Sequence, residues 1–115
     1  MAEQESVISD RQSIEDGVVL KIEGEVDLIR SPQLRVELMQ VLDGGISRLV
    51  IDLSGVPFMD SSGVATLVEV LQIQRKLNSK LVLCNLQSKV KSIFEISRLD
   101  MVFSITDNIE SAKTV

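Results

Sequence analysis

Alternating strand-like and helix-like segments predict an α/β sandwich with a mostly parallel sheet opened by a hairpin, and three observations carry that reading. Gly17 to Glu23 alternates, with Val18, Leu20 and Ile22 on one face and Val19 and Lys21 on the other, and it follows a tight-turn sequence, Glu15-Asp16-Gly17. Two further runs, Leu49-Val50-Ile51 with Leu53 and Leu81-Val82-Leu83-Cys84, have too little polar alternation for half-exposed strands, as expected of strands buried on both faces of a parallel sheet. Helix-period stripes stand between and after them. The predicted order is β β α β α β α β α, a sheet of four or five strands packed with about four helices.

Each element has its own justification. Residues 6 to 13 form the first strand and Gly17 to Glu23 its hairpin partner. Ser31-Pro32 reads as an N-cap followed by proline at the first helical position. That helix runs to about Leu42 with Leu34, Leu38, Val41 and Leu42 on one stripe, and Asp43-Gly44-Gly45 stops it. The strand over 48 to 53 ends at Ser54-Gly55 and Pro57. A second helix begins just past Ser62 and runs over 64 to 77. It should bury Val64, Leu67, Val68 and Leu71 and point Thr66, Glu69, Gln72 and Arg75 away. Lys80 to Asn85 is the next buried strand. A third helix over 88 to 97 buries Val90, Ile93 and Phe94, with Ile96 at its margin. Met101 to Ile105 is an edge strand, and Asp107-Asn108 caps a last short helix that ends in a loose tail. With no linker, repeat or low-complexity segment, residues 1–115 are expected to form one domain, with 1–5 and 112–115 as flexible ends.

Composition narrows the function. A chain of 115 residues can bury roughly two thirds of its unfolded surface without a disulfide or metal. Its hydrophobic residues fall in short groups, far from the ~20 that a membrane helix needs. The start, MAEQESVISDRQ, is polar and acidic rather than basic-then-apolar, so a cytoplasmic location is expected. The net charge is -5, the basic residues are scattered, and the aromatic residues are three Phe without Tyr or Trp. A nucleic-acid partner needs a concentrated basic face and stacking platforms, so none is expected. Histidine is absent, which excludes a Ser-His-Asp triad, a Cys-His pair and histidine metal sites. Neither common phosphate-cradling glycine loop is present. No enzymatic activity, cofactor or metal is expected, and the lone Cys84 is read as a small buried hydrophobe.

The chemistry concentrates at Asp60-Ser61-Ser62-Gly63, between the strand over 48 to 53 and the second helix. A hydroxyl pair beside a carboxylate at a helix start is a cap, a nucleophile or a phosphorylation site. Without histidine the nucleophile loses its usual base, and the other two readings are compatible if one residue of the group caps while a serine hydroxyl faces solvent.

The segment Leu49 to Leu67, with Asp52-Leu53-Ser54 and Phe58-Met59-Asp60-Ser61-Ser62-Gly63, closely resembles the anti-sigma-factor antagonists of the STAS family. Gly24-Glu25-Val26-Asp27 looks like the family's G-E-[LVI]-D loop, Leu81 to Cys84 like its next strand, and Val90, Ile93-Phe94 and Leu99 like its third-helix pattern. Nearly the whole chain is covered in order. Two positions depart from the pattern: Ala65 stands where many members have glycine, and Arg98 where the third helix often ends in Ser-Gly-Leu. If that backbone needs a positive φ, arginine costs up to about 1 kcal/mol relative to glycine.

The resemblance implies partner switching. The antagonist binds an anti-sigma protein that is also a serine kinase, is phosphorylated on the serine following the aspartate, here Ser61, and is released; a separate serine phosphatase restores it. The partner-binding set it implies is Asp27, Met59, Asp60, Ser61, Ser62 and Gly63. A phosphate of about -1.5 to -2 charges at a helix N-terminus meets free N–H groups, so release should come from repulsion at the surface rather than from melting the helix. Leu28, Ile29 and Met59 are open to two readings, partner contact or core packing. Two rival functions stand beside this one. A phosphorelay receiver using Asp52 would need an acidic pair and a late lysine that are not evident, and Asp52 is expected in a loop or turn with a structural bond. A STAS module could alternatively serve as a stress-sensing scaffold, a secretion or biofilm regulator, or a cytoplasmic subunit of a lipid or anion transporter.

Overall fold

Tight reversal at Glu15-Asp16 folds β1 (Ile8–Ile14) back on β2 (Gly17–Glu23) as an antiparallel hairpin, with Ile14 opposite Gly17 and Arg11 opposite Leu20. The computed structural model describes residues 6–115. Beyond β2, three strands add in parallel: β3 (Arg48–Gly55), β4 (Lys80–Cys84) and β5 (Ser104–Thr106), giving the spatial order β1-β2-β3-β4-β5. The crossovers are α1 (Ser31–Leu42), α2 (Ser61–Lys76) and α3 (Ser88–Ile96), and α4 (Ile109–Ala112) closes the series. The predicted fold class and element order are those observed.

The strand alternation sorts side chains to two unequal faces. Leu20, Ile22, Leu49, Ile51, Leu53 and Leu83 meet Leu34 and Leu38 of α1, Leu67 and Val70 of α2, and Phe94 of α3 in one core. Each such side chain, fully buried, contributes about 1.5–3 kcal/mol relative to exposure. On the opposite face Val19, Val50, Val82 and Cys84 are covered by Ala112 of α4, with Ile14 and Ile109 beside them. Both faces of β3 and β4 are therefore dry, which explains their unbroken apolar runs.

Several local expectations change. The first strand starts at Ile8 rather than Ser6, and the expectation for residues 1–5 lies outside the described residues. Ser31 is not the cap of α1: Arg30 is the N-cap and makes no side-chain cap bond, and Asp27 Oδ1 instead accepts the Ile29 and Arg30 N–H groups, each at 3.0 Å. In α2 the buried stripe is Gly63, Thr66, Leu67, Val70, Leu71 and Gln74, so Thr66 points inward rather than away, while Val64 and Val68 are half-buried. The inward hydrogen-bond donors are satisfied there: Thr66 Oγ1 donates to the Ser62 carbonyl at 3.1 Å, and Gln74 Nε2 donates to the carbonyls of Ile46 and Lys80, both at 2.9 Å.

At the end of α3, Ile96 is 84% exposed, because the helix buries only Val90 and Phe94 and its last turn has left the core. Met101 lies in a 3-10 turn, Leu99–Met101, rather than in the edge strand. Phe94 and Phe103 pack edge to face, ring centroids 5.3 Å apart, and anchor that turn. Asn108 caps α4 as expected, its side chain accepting the Ser111 N–H at 2.8 Å. Residues 112–115, expected to be loose, carry specific bonds. The Val115 main-chain oxygen accepts from Arg48 Nη1 at 2.7 Å and Lys80 Nζ at 2.9 Å, and Arg48, itself buried, also pairs with Asp16 at 2.9 Å.

Arg98 adopts φ 63°, the left-handed region. Its side chain is exposed and no bond of its guanidinium is seen among the described residues, so nothing visible offsets the backbone cost. Arg98→Gly is expected to raise unfolding stability by up to about 1 kcal/mol in urea denaturation. An unchanged or lower midpoint would show that the left-handed residue is not strained.

Candidate functional site

At the carboxyl ends of the parallel strands, two loops are zipped together. The Gly24 N–H donates to the Gly55 carbonyl at 2.8 Å, the Val26 N–H to Phe58 at 2.9 Å, and the Asp60 N–H back to Val26 at 3.1 Å. Val26 and Met59 form an isolated parallel bridge and both are buried. This ladder delivers the chain to Asp60 in extended geometry, φ -99° and ψ -172°, and α2 starts at the next residue. The helix thus begins at Ser61 rather than past Ser62, because Asp60 supplies the cap two residues earlier than the pattern suggested.

Asp60 Oδ1 accepts the Ser62 N–H at 2.9 Å and the Gly63 N–H at 3.4 Å, and also the Ser62 hydroxyl. Asp60 Oδ2 accepts the Leu28 N–H at 3.1 Å. The Ser62 hydroxyl, and behind it these N–H groups, hold the Asp60 carboxyl below the ordinary aspartate range against an opposing push from burial. The hydroxyls of the pair therefore differ. That of Ser62 is tied to the cap, whereas Ser61 is exposed and its hydroxyl makes no bond to the described residues. Such a hydroxyl is accessible to a group-transfer enzyme and sits at the positive end of a helix of 16 residues.

Not all of the expected partner-binding residues reach the surface. Asp60, Ser61, Ser62 and Asp27 are exposed or partly so, but Met59 and Gly63 are buried. The two buried residues are a packing unit. A Cβ at Gly63 would stand 2.7 Å from both Met59 Cγ and Val26 Cγ1, so only glycine lets α2 settle on the zipped loops. The side chains that do stand out are Leu28 at 75% exposure, Ile29 at 84% and Phe58 at 42%. Leu28 and Ile29 thus resolve away from core packing. Nothing in the sequence marks Phe58 as a surface residue, since a lone aromatic before a buried Met carries no periodic signal.

Asp52, the rival phosphate acceptor, lies within β3 rather than in a loop, and it is buried. Its Oδ1 accepts the Ser54 N–H at 2.9 Å and Asn85 Nδ2 at 3.1 Å, a structural role. Cys84 is fully buried; burial, and secondarily the Asp52 charge, push its thiol up to about 12, so it holds no thiolate at neutral pH. No helix among the described residues is long and apolar enough to cross a membrane.

This fold and serine-bearing helix start define a class. The STAS domain family matches residues 8–112, and the chain belongs to that family. An anti-sigma-B factor antagonist of Listeria monocytogenes is 33% identical over 97 residues, covering 83% of this chain and 82% of that one. Among solved structures, an anti-sigma factor antagonist from Mycobacterium paratuberculosis superposes with a TM-score of 0.82 at 23% identity, over 90% of this chain and 88% of that one. The Bacillus cell fate determinant SpoIIAA in its phosphorylated form superposes with a TM-score of 0.70 at 21% identity, over 90% and 94%. The last two likenesses establish the fold.

Two outcomes follow from the site geometry. Gly63→Ala, which in an open helix would stabilise, is expected to destabilise by about 1–3 kcal/mol through overpacking against Val26 and Met59; a raised thermal midpoint would refute the close approach. The Asp60 carboxyl is depressed in the folded state, so its contribution is complete above the unfolded value, ~3.9, and is lost as pH falls through the lower folded one. The stability gap between the parent and Asp60→Asn should therefore be widest near about pH 6 and shrink below about pH 4. A gap that widens with acid would reverse the assignment.

Proposed function

We propose that the chain is an anti-sigma factor antagonist that binds an anti-sigma serine kinase and is released when Ser61 is phosphorylated. The observation that carries this is the inequality of the serine pair, with Ser62 engaged by Asp60 and Ser61 exposed at the first position of α2. Likeness to relatives named as anti-sigma factor antagonists supports the partner class. The docking face consists of Asp27, Asp60, Ser61 and Ser62, with the exposed Leu28, Ile29 and Phe58 as its apolar part. Met59 and Gly63 act on it from beneath, by setting where α2 begins.

In the kinase step the γ-phosphoryl of ATP passes to Ser61 Oγ, the hydroxyl proton goes to a base on the kinase, and ADP leaves. The product carries about -1.5 to -2 added charges beside the Asp60 carboxylate. A face that was weakly acidic becomes repulsive to an acidic partner surface and costly to desolvate against any partner. The helix itself tolerates the anion, because the charge sits at its positive end. A serine phosphatase acting on phospho-Ser61 reverses the state. The chain is the substrate of these reactions, not their catalyst.

Incubation with ATP and a cognate anti-sigma kinase should add one phosphate, which peptide fragmentation places on Ser61. Ser61→Ala should bind the kinase undiminished, and Ser61→Asp at least about ten-fold more weakly, a difference of ~1.4 kcal/mol. A STAS module with another regulatory role would bind its partner equally well in both variants, and that result would overturn the proposal.

A further inference from the structure

Asp60 divides its carboxylate between two elements. Oδ1 serves the first turn of α2 through the Ser62 and Gly63 N–H groups, while Oδ2 crosses to the other loop and accepts the Leu28 N–H at 3.1 Å. Leu28 opens the exposed turn that continues through Ile29 and Arg30. The later part of that turn is fastened within its own loop. Asp27 Oδ1 takes the Ile29 and Arg30 N–H groups, and the Arg30 guanidinium donates to the Glu25 carbonyl at 2.6 Å and the Glu23 carbonyl at 2.9 Å. The upstream zipper ends at Val26. Among the described residues, the Leu28 to Asp60 bond is therefore the hydrogen bond that ties the Leu28–Arg30 turn to the residue preceding Ser61.

Resting on the reading of Ser61 as phosphoacceptor, we infer that Asp60 is a positioning residue that transmits the state of Ser61 to the Leu28–Ile29 turn. Unmodified, its Oδ2 holds the turn in one pose, so the two apolar side chains are presented already ordered and the entropy cost of docking falls. A phosphate on the adjacent residue seeks the same first-turn N–H groups that Oδ1 occupies, and two anions cannot share those donors without strong repulsion. The carboxylate swings away from the helix start, and Oδ2 leaves the Leu28 N–H. The kinase then meets a face that is both charged and no longer ordered, while α2, fastened by Leu67, Val70 and Gln74 in the core, stays in place.

The test bypasses the kinase by installing phosphoserine at position 61 during translation of the full chain and following amide exchange by NMR. The Leu28 amide should exchange at least about five-fold faster than in the unmodified protein, with the α2 amides from Leu67 to Gln74 still protected. Asp60→Asn should loosen the same amide without phosphate, because its Oδ1 retains the cap and its amide group cannot accept from Leu28. An unchanged Leu28 rate in the phosphoserine protein overturns the inference whatever the kinase does, and so does loss of α2 protection. If the kinase leaves Ser61 untouched but installed phosphoserine frees Leu28, the linkage stands and the proposed function falls. Should Asp60→Asn fail to fold, the phosphoserine protein alone decides.

Discussion

Pairing between Val26 and Met59 is the constraint on which the serine site depends. Two loops at the ends of neighbouring parallel strands have no ladder of their own, and their backbone groups would need water or a partner. The Val26 N–H and carbonyl instead take Phe58 and Asp60 as partners. This turns two connections into a short continuation of the sheet. Because Val26 and Met59 are buried against Gly63, the start of α2 is set by packing as well as by its cap. The serine is thus presented by a rigid corner, whereas loops in general are the mobile part of a domain.

The opposite end of the sheet is held by charge. Buried Arg48, at the first position of β3, gathers Asp16 from the hairpin turn and the carbonyls of Ala112 and Val115. A buried guanidinium is tolerable because these acceptors are spread around its planar fork. Truncating it would leave the Ala112 carbonyl without this donor, whereas Lys80 still reaches Val115, and a buried acceptor left unmet costs more than the net worth of the bond itself. The consequence is a division of labour: one end of the parallel strands is pinned by ion pairing, and the other carries the exposed Ser61 and the turn beside it.

Much of this was legible in the residues. The alternation at Val18, Leu20 and Ile22, the unbroken runs at Leu49 and Leu81, and the stops at Gly44-Gly45 and Pro57 report local chemistry directly, and the elements they predict are present. What was illegible depended on non-local partners. Gln74 carries no local signal of burial, because the carbonyls of Ile46 and Lys80 that hold it lie outside its helix. Ser31 looks like a cap, but Asp27 reaches the turn first. Met59 and Phe58 differ in burial only because pairing with Val26 fixes which of two adjacent apolar side chains points inward. In the serine pair, the motif indicated a helix start, but the difference between the hydroxyls, Ser62 bonded to Asp60 and Ser61 exposed, depends on the direction of one carboxylate oxygen.

That direction also decides what kind of switch the corner can support. A switch that melted α2 would have to expose Leu67, Val70 and Leu71, each costing about 1.5–3 kcal/mol in apolar burial alone, and would set a phosphate's favourable place at a helix N-terminus against itself. A switch confined to the surface has no such cost. It needs only to add charge beside a carboxylate that is already engaged by the first turn of α2 and by the Leu28 N–H. The energetics of the fold thus favour a fixed scaffold, with any change confined to the surface groups at Asp60, Ser61 and the turn beginning at Leu28.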